Sequence, residues 1–262
     1  MLASPSGRRT GAALTAAFLL APLAACSSGS DRTDTGGDGV AKKDITVLAA
    51  SSLTDVFDAA GTEYEKSHPD TRITFSFAGS QVLAAQVSQG APADVLATAN
   101  TRTMESVGDD TGQPVIFARN RLVIVVREGN PEDIDGLEDL TDPGLKVVLA
   151  APEVPVGGYS KKILDREGLD VEPVSRETNV RAVLSKVELG EADAGLVYRT
   201  DAVTAPGKVD AVAVPDGRNE IAKYPVATLN ASEHSEAAQE FVGWLTGADA
   251  QRVLREAGFQ KP

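Results

Sequence analysis

The sequence predicts an α/β protein built as two units in series, and three observations carry that prediction. Short β-branched runs alternate with stretches of helical periodicity from Ile45 onward. Residues 122–126 (LVIVV) are continuously apolar, the pattern of a strand buried on both faces, and residues 146–150 (KVVLA) continue in the same way after their lysine. At Lys146 the series of strands and helices begins again, although no sequence repeat accompanies it. Such alternation implies mostly parallel sheets with helices on both faces. A chain of 262 residues, 42% of them hydrophobic, can bury one large core or two moderate ones.

The elements follow in order. Residues 45–50 read as a strand, and Leu53, Val56, Phe57, Ala60 and Tyr64 then recur at i, i+3, i+4, i+7 and i+11, one apolar helix face. Ser52 and Asp55 form a capping-box-like pair at its start. Residues 73–77 are a second strand, and Ser80 opens a helix carrying Val82, Leu83 and Val87. Pro92-Ala93-Asp94 introduces a buried strand, 95–99, followed by the central strand 122–126. The second series opens with 146–150, then a Pro/Gly loop over 151–158 and a helix from about Tyr159. A helix from about Val180, with Val183, Leu184 and Val187 on one face, precedes the strand 195–198. Strands at 211–214 and 224–228 and a helix pair over 237–257, with the single tryptophan Trp244, complete the chain.

The first 43 residues are set apart from this pattern. Arg8 and Arg9 precede an apolar stretch, 11–23 (GAALTAAFLLAPL), that is too short to span a bilayer. It ends in Leu23-Ala24-Ala25-Cys26, which resembles a bacterial lipobox, and Cys26 is the sole cysteine of the chain. Residues 1–25 are therefore read as a lipoprotein signal peptide, with Cys26 lipidated as the first residue of the mature protein. Residues 26–43, rich in Gly, Ser, Thr and Asp, read as a flexible tether. The expected location is extracytoplasmic, held at the cell membrane by the lipid. A formal charge of -13 and a pI near 4.6 exclude nucleic acid as a partner by bulk electrostatics.

Ligands on open α/β sheets bind beyond the C-terminal strand ends, where helix N-termini point. Four junctions of that kind carry Ser51-Ser52, Gly79-Ser80, Val156-Gly157-Gly158 and Thr178-Asn179-Val180. None holds a lysine, an arginine or a carboxylate. They offer neutral hydrogen-bond donors.

Six stretches in order, AASSLTDVF, FAGSQVLAAQV, GAPADVLATA, PEVPVGGYSKKIL, NVRAVLSKVELGEADAGLVYRTDA and YPVA, resemble the molybdate-binding proteins of bacterial ABC transporters, from about Ile45 to Phe259. The resemblance implies a two-lobed periplasmic-binding-protein-like fold (type II), each lobe a mostly parallel sheet flanked by helices and hinged by crossing strands. It divides the chain into lobe I, residues 44–121 and 224–262, and lobe II, residues 122–223. Carried onto this sequence, it implies anion contacts from the hydroxyls of Ser52 and Ser80, the backbone amides of Val156 and Val180, and the hydroxyl of Tyr198. Ser51, Tyr159 and Asn179 are additional candidates. Val156 stands where some relatives have alanine, and Asn179 where some have aspartate.

Elementary electrostatics agrees with that reading. A helix N-terminus carries orphan N–H groups and about half a positive charge, so four of them match a dianion. Charge-assisted hydrogen bonds of about 1.5 to 3 kcal/mol each offset desolvation without a cation. A donor-only pocket rejects protonated phosphate, which would leave a buried donor unpaired, and leaves cavity size to exclude sulfate. Molybdate and the near-isosteric tungstate are the expected ligands, passed as a monomer's cargo to a membrane permease driven by a separate ATPase. A sulfate, thiosulfate or other oxyanion receptor is the alternative within binding proteins, and a membrane-anchored hydrolase the alternative outside them. The sequence has no GxSxG elbow, GxxxxGK[ST] loop, HExxH or CxxC, so neither catalysis nor a cofactor nor a metal cation site is expected. Molybdenum would enter as an oxyanion.

Overall fold

The computed structural model describes residues 43–262. The signal peptide, the lipidated Cys26 and the tether up to residue 42 lie outside the described residues; Lys43, assigned to the tether, is the first residue of a strand.

The first half of the chain runs β1 (Lys43–Ala50), α1 (Thr54–Ser67), β2 (Thr71–Ala78), α2 (Ser80–Ser88), β3 (Val95–Ala97), α3 (Thr101–Glu105) and β4 (Val115–Arg127). The second runs β5 (Val147–Ala150), α4 (Pro155–Glu167), β6 (Ser175–Glu177), α5 (Val180–Glu188), β7 (Ala194–Tyr198), α6 (Arg199–Val203) and β8 (Val209–Ala213). β9 (Ile221–Thr228), α7 (Ser235–Leu245) and α8 (Ala248–Glu256) return to the first half. The strand order is β2-β1-β3-β9-β4-β7-β5-β6, with β8 also on β4. Within the first lobe β1 is parallel to β2 and β3, and β9 runs against β3; within the second β5 is parallel to β6 and β7. The two-lobed α/β architecture is the expected one.

β4 joins the lobes. Its residues up to Arg121 pair with β9, and from Leu122 onward with β7 and β8. The other crossing is the loop between β8 and β9, where the buried Asn219 accepts from Leu122 N at 3.1 Å and donates to Leu122 O at 2.9 Å. Both crossings thus meet at one residue of β4. The strand expected at 224–228 begins three residues earlier, because Ile221, Ala222 and Lys223 pair with Arg121, Asn120 and Arg119.

Side-chain alternation places helices on both faces of the first sheet. Ile45, Val47 and Ala49 of β1 join one core with Phe57, Tyr64 and Phe241, while Leu48 joins another with Leu83, Val87 and Met104. The first lobe is packed with aromatic rings: Phe57 lies 5.6 Å from Phe75 and 5.7 Å from Phe117, and Tyr64 5.3 Å from Trp244. The second lobe is filled by aliphatic residues such as Val148, Ile163, Val183 and Leu196, all fully buried.

Three local expectations are corrected. Val82, assigned to the apolar face of α2, is exposed, because Leu83, Ala84 and Val87 already cover the sheet. The helix expected from Tyr159 starts at Pro155, so Val156, Gly157 and Gly158 form its first turn rather than a loop. Proline is suited to the first helical position, where no N–H is needed. Glycine is required at 157, since a Cβ there would stand 2.1 Å from Ala151 O. Nor does the Ser52–Asp55 capping box form: Ser51–Leu53 make a single 3₁₀ turn without a side-chain cap, and Thr54 Oγ1 donates to Ser51 O at 2.8 Å.

Candidate functional site

All four junctions open on one pocket. Ala50, Ser51 and Ser52 come from the end of β1, Gly79 and Ser80 from the start of α2, and Ala99 from the residues after β3. The facing lobe adds Val154, Pro155 and Val156 at the start of α4, Val180 at the start of α5, and Tyr198 at the end of β7. No lining residue is charged. The cavity is small, about 10 Å³, far below the range of roughly 300 to 1,000 Å³ typical of organic-ligand pockets. A sugar or a peptide has no room in it.

Each wall has its own donors. Ser80 is the first residue of α2 and Gly79 its N-cap, so the serine side chain is not a cap; its Oγ accepts from Ala99 N at 3.1 Å. Ser52 Oγ lies 3.0 Å from the hydroxyl of Tyr224, a fully buried residue of β9. Ser51 lines the pocket beside it. Across the cleft Val156 and Val180 occupy the first two positions of their helices, where backbone N–H groups have no intrahelical acceptor. The walls touch: a Cβ on Gly79 would stand 2.5 Å from Thr178 O, and Gln81 Nε2 donates to that same carbonyl at 2.8 Å.

Tyr198 carries an unsatisfied hydroxyl. Its Oη is buried and has no hydrogen-bond partner among the described residues. Burial first, then the neighbouring Tyr224, Tyr159 and Asp201, holds this phenol well above its ordinary pKa, so it keeps a proton to donate. A buried donor without an acceptor costs about 1 to 3 kcal/mol. An acceptor in the pocket would remove that cost.

Behind the wall stands one guanidinium that the junction residues alone did not reveal. Arg181, next to Val180, reaches Asp55 on α1, Asp201 on α6 with Nε to Oδ1 at 3.0 Å, and Thr204 Oγ1 at 2.9 Å. Its charge is met by the Asp55 carboxylate and, once deprotonated, by that of Asp201. Asp201 is fully buried and accepts from Tyr198 N at 3.2 Å. Desolvation outweighs Arg181 there and raises the carboxyl to about 7.

Ser51, Ser52, Ser80, Val156, Val180 and Tyr198 are brought together around this pocket. Asn179 and Tyr159 are not among the lining residues. Asn179 is the N-cap of α5, its Oδ1 accepting from Ala182 N at 3.0 Å, which is what asparagine most often does before a helix. Tyr159 faces a wider open cleft with Gln81, Arg102, Glu153 and Lys162. Tyr224 was overlooked as a site residue, because nothing in a local pattern links a strand tyrosine to a serine 172 positions earlier.

Known proteins share this architecture. A protein of Mycobacterium tuberculosis called molybdate-binding protein ModA is 41% identical over 252 residues, covering 95% of this chain and 97% of its own. A putative ABC transporter substrate-binding lipoprotein of Bacillus subtilis, YvgL, is 33% identical, with 95% of each covered. The Azotobacter vinelandii periplasmic molybdate-binding protein superposes with a TM-score of 0.74 over 83% of this chain and 99% of its own, at 19% identity. The sulfate-binding protein SubI of Mycobacterium tuberculosis gives 0.75 over 84% and 87%, at 20% identity, and both structures speak to the fold alone. Relatives of this kind are solute-binding proteins rather than enzymes. Residues 45–260 match the family described as bacterial extracellular solute-binding protein, and the chain belongs to that family.

Proposed function

We propose that the protein captures molybdate, and tungstate as its near-isostere, outside the cytoplasmic membrane and delivers it to the permease of an ABC importer energised by a separate ATPase. One observation carries the reading: a small uncharged pocket where two serine hydroxyls, two helix N-termini and the unpaired Tyr198 hydroxyl converge. All are donors, which suits a fully deprotonated tetrahedral oxyanion. The ligand-contacting set is Ser52, Ser80, Val156, Val180 and Tyr198, with Ser51 at the rim. The identity to the mycobacterial molybdate-binding protein supports the choice of anion.

In this reading Cys26 carries a lipid, residues 1–25 are its signal peptide, and residues 26–42 the tether, in keeping with the name of YvgL as a lipoprotein. The chain works as a monomer. Residues 44–121 with the C-terminal segment form one lobe and the residues between the crossings the other, closing about Leu122. Closure gathers contacts from both lobes, so ligand favours the closed state.

Sulfate is the second reading, favoured by one fact: a donor-only pocket separates sulfate from molybdate by size alone. Thermal melting with molybdate, tungstate, sulfate and hydrogen phosphate decides. Ligand at about 100 times its Kd stabilises by about 2.7 kcal/mol; a shift with molybdate and tungstate alone is expected. An equal shift with sulfate transfers the assignment to sulfate, and no shift with any anion ends the oxyanion reading.

A further inference from the structure

One ion pair crosses the cleft beside the pocket. Arg181 follows Val180, the lining residue that opens α5, and Asp55 lies in the first turn of α1, three residues after Ser52. The two helices belong to different sheets, α1 packing against β2 and α5 against β5 and β7. Their side chains nevertheless meet, Arg181 Nη2 donating to Asp55 Oδ2. The ends of this bridge are held differently. On its own side the guanidinium is anchored to α6: Nη1 donates to Thr204 Oγ1 at 2.9 Å, and Nε stands 3.0 Å from Oδ1 of the buried Asp201. Thr204 is fixed in turn, its Oγ1 donating to Asp201 O at 2.7 Å. Asp55 is exposed, caps no helix, and has no other side-chain hydrogen bond or ion pair among the described residues. The macrodipole of α1 favours an acid in its first turn, but that accounts for no arginine reaching it from the facing lobe. Exposed ion pairs are weak in general because two long side chains must be ordered. Here one of them is ordered already, within its own lobe, so little is lost when the walls meet.

We propose that Arg181 is a positioning residue that latches the closed cleft: anchored in one lobe by Thr204 and Asp201, it clasps Asp55 of the other and slows release of the bound anion. The proposal rests on the oxyanion reading of the pocket and adds what holds the walls together around it. Charge alone argues the opposite way. Asp55 is a carboxylate near an anion site, so if it acted only through its field its removal would tighten binding and slow release. Latch and field predict opposite signs for the same substitution.

The test is the release of radioactive molybdate into an excess of unlabelled molybdate, with association measured separately, for the wild type, Asp55→Asn, Arg181→Lys and the double variant. Asp55→Asn keeps the size of the side chain and removes its charge; Arg181→Lys keeps a positive charge and loses the fork. Each should release molybdate about three- to fivefold faster, the upper range for an ion pair with one exposed partner. Association should stay within about twofold, because the pair forms only as the walls meet. The double variant should match the faster single variant within about twofold, since both changes break one interaction. Release from Asp55→Asn that is slower than wild type or within about twofold of it, a loss confined to association, or multiplication of the two single effects would each overturn the latch. A wild type that retains no molybdate defeats the oxyanion reading and the latch with it; a wild type that retains it, with Asp55→Asn releasing no faster, defeats the latch alone. Should Arg181→Lys not fold, salt decides with the surface variant Asp55→Asn. Its difference from wild type should vanish at 1 M salt, where charges are screened beyond about 3 Å, and a difference that persists there overturns the ion pair as its cause.

Discussion

The two walls of the pocket offer the same kind of group by different means. On the wall built from β1 and α2, the donors belong to side chains, the hydroxyls of Ser52 and Ser80. On the facing wall the lining is mostly aliphatic, Val154, Pro155, Val156 and Val180, and the donors are main-chain N–H groups at two helix starts, with Tyr198 between them. The difference separates what a mutation can delete from what it can only displace. A serine hydroxyl is lost by one substitution; a backbone amide is lost only by moving the helix that carries it.

The largest effect should therefore come from moving the main-chain wall. Gly157→Ala places a methyl 2.1 Å from Ala151 O and 2.5 Å from Ala150 O, both rigid backbone atoms at the end of β5. The start of α4 must shift, costing about 2 to 3 kcal/mol by the scale of overpacked cores. Chemical denaturation should show that loss, and titration should show molybdate binding abolished. Unchanged affinity would mean that the α4 amides are not ligands.

Deleting a side-chain donor comes next. Ser80→Ala removes a hydroxyl that serves the ligand and also leaves Ala99 N without its acceptor. We expect molybdate to bind about 10 to 100 times more weakly, from one or two hydrogen bonds of charge-assisted strength, measured by calorimetry. An unaltered Kd would reduce Ser80 to a structural residue.

The main-chain wall is also held from behind, by Asp201. Its carboxyl titrates near 7 in the folded protein, against about 3.9 when unfolded. Between those values the folded state keeps a proton that the unfolded state has lost, so stability falls as pH rises from about 4 to about 7 and then levels off. Asp201→Asn should remove this contribution, a slope approaching about 1.4 kcal/mol per pH unit. Parallel urea titrations of both proteins across that window check it; identical slopes would show that Asp201 is ionised throughout.

Contacts between the walls should matter less. Gln81→Ala deletes the bond to Thr178 O without altering the field around the anion, unlike any change at Asp55 or Arg181. One neutral hydrogen bond implies about a threefold loss of affinity, visible in the dissociation rate. The smallest effect belongs to Val156→Ala, which leaves the amide in place. Affinity should stay within about twofold, and a greater loss would assign the side chain a part in closure.

Strong periodicity made most of this molecule legible. The apolar spacing of Val56, Phe57, Ala60 and Tyr64 appears in α1 as a buried face, and the run 122–126 as the buried half of β4. Elements of three to five residues, α3, β6 and α6, were not legible, since so short a stretch carries too little pattern. Pro155 and the two glycines misled for a different reason. Both residue types mark loops in general, yet here proline begins a helix and Gly157 permits a close backbone approach. Ser52, Ser80, Val156, Val180 and Tyr198 were reached through family likeness. Tyr224, Asp201 and Arg181 required coordinates, because their roles depend on partners distant in the chain: Tyr224 on Ser52, and Arg181 on Asp55.

The most direct measurement is a crystal structure of the protein grown with molybdate. Oxygens of the ion should sit within hydrogen-bond reach of Ser52 Oγ, Ser80 Oγ, the Val156 and Val180 amides and the Tyr198 hydroxyl, with no lysine or arginine nitrogen touching it. Density for the ion in the wider cleft beside Lys162 and Arg102, or a guanidinium drawn into the pocket, would contradict the account.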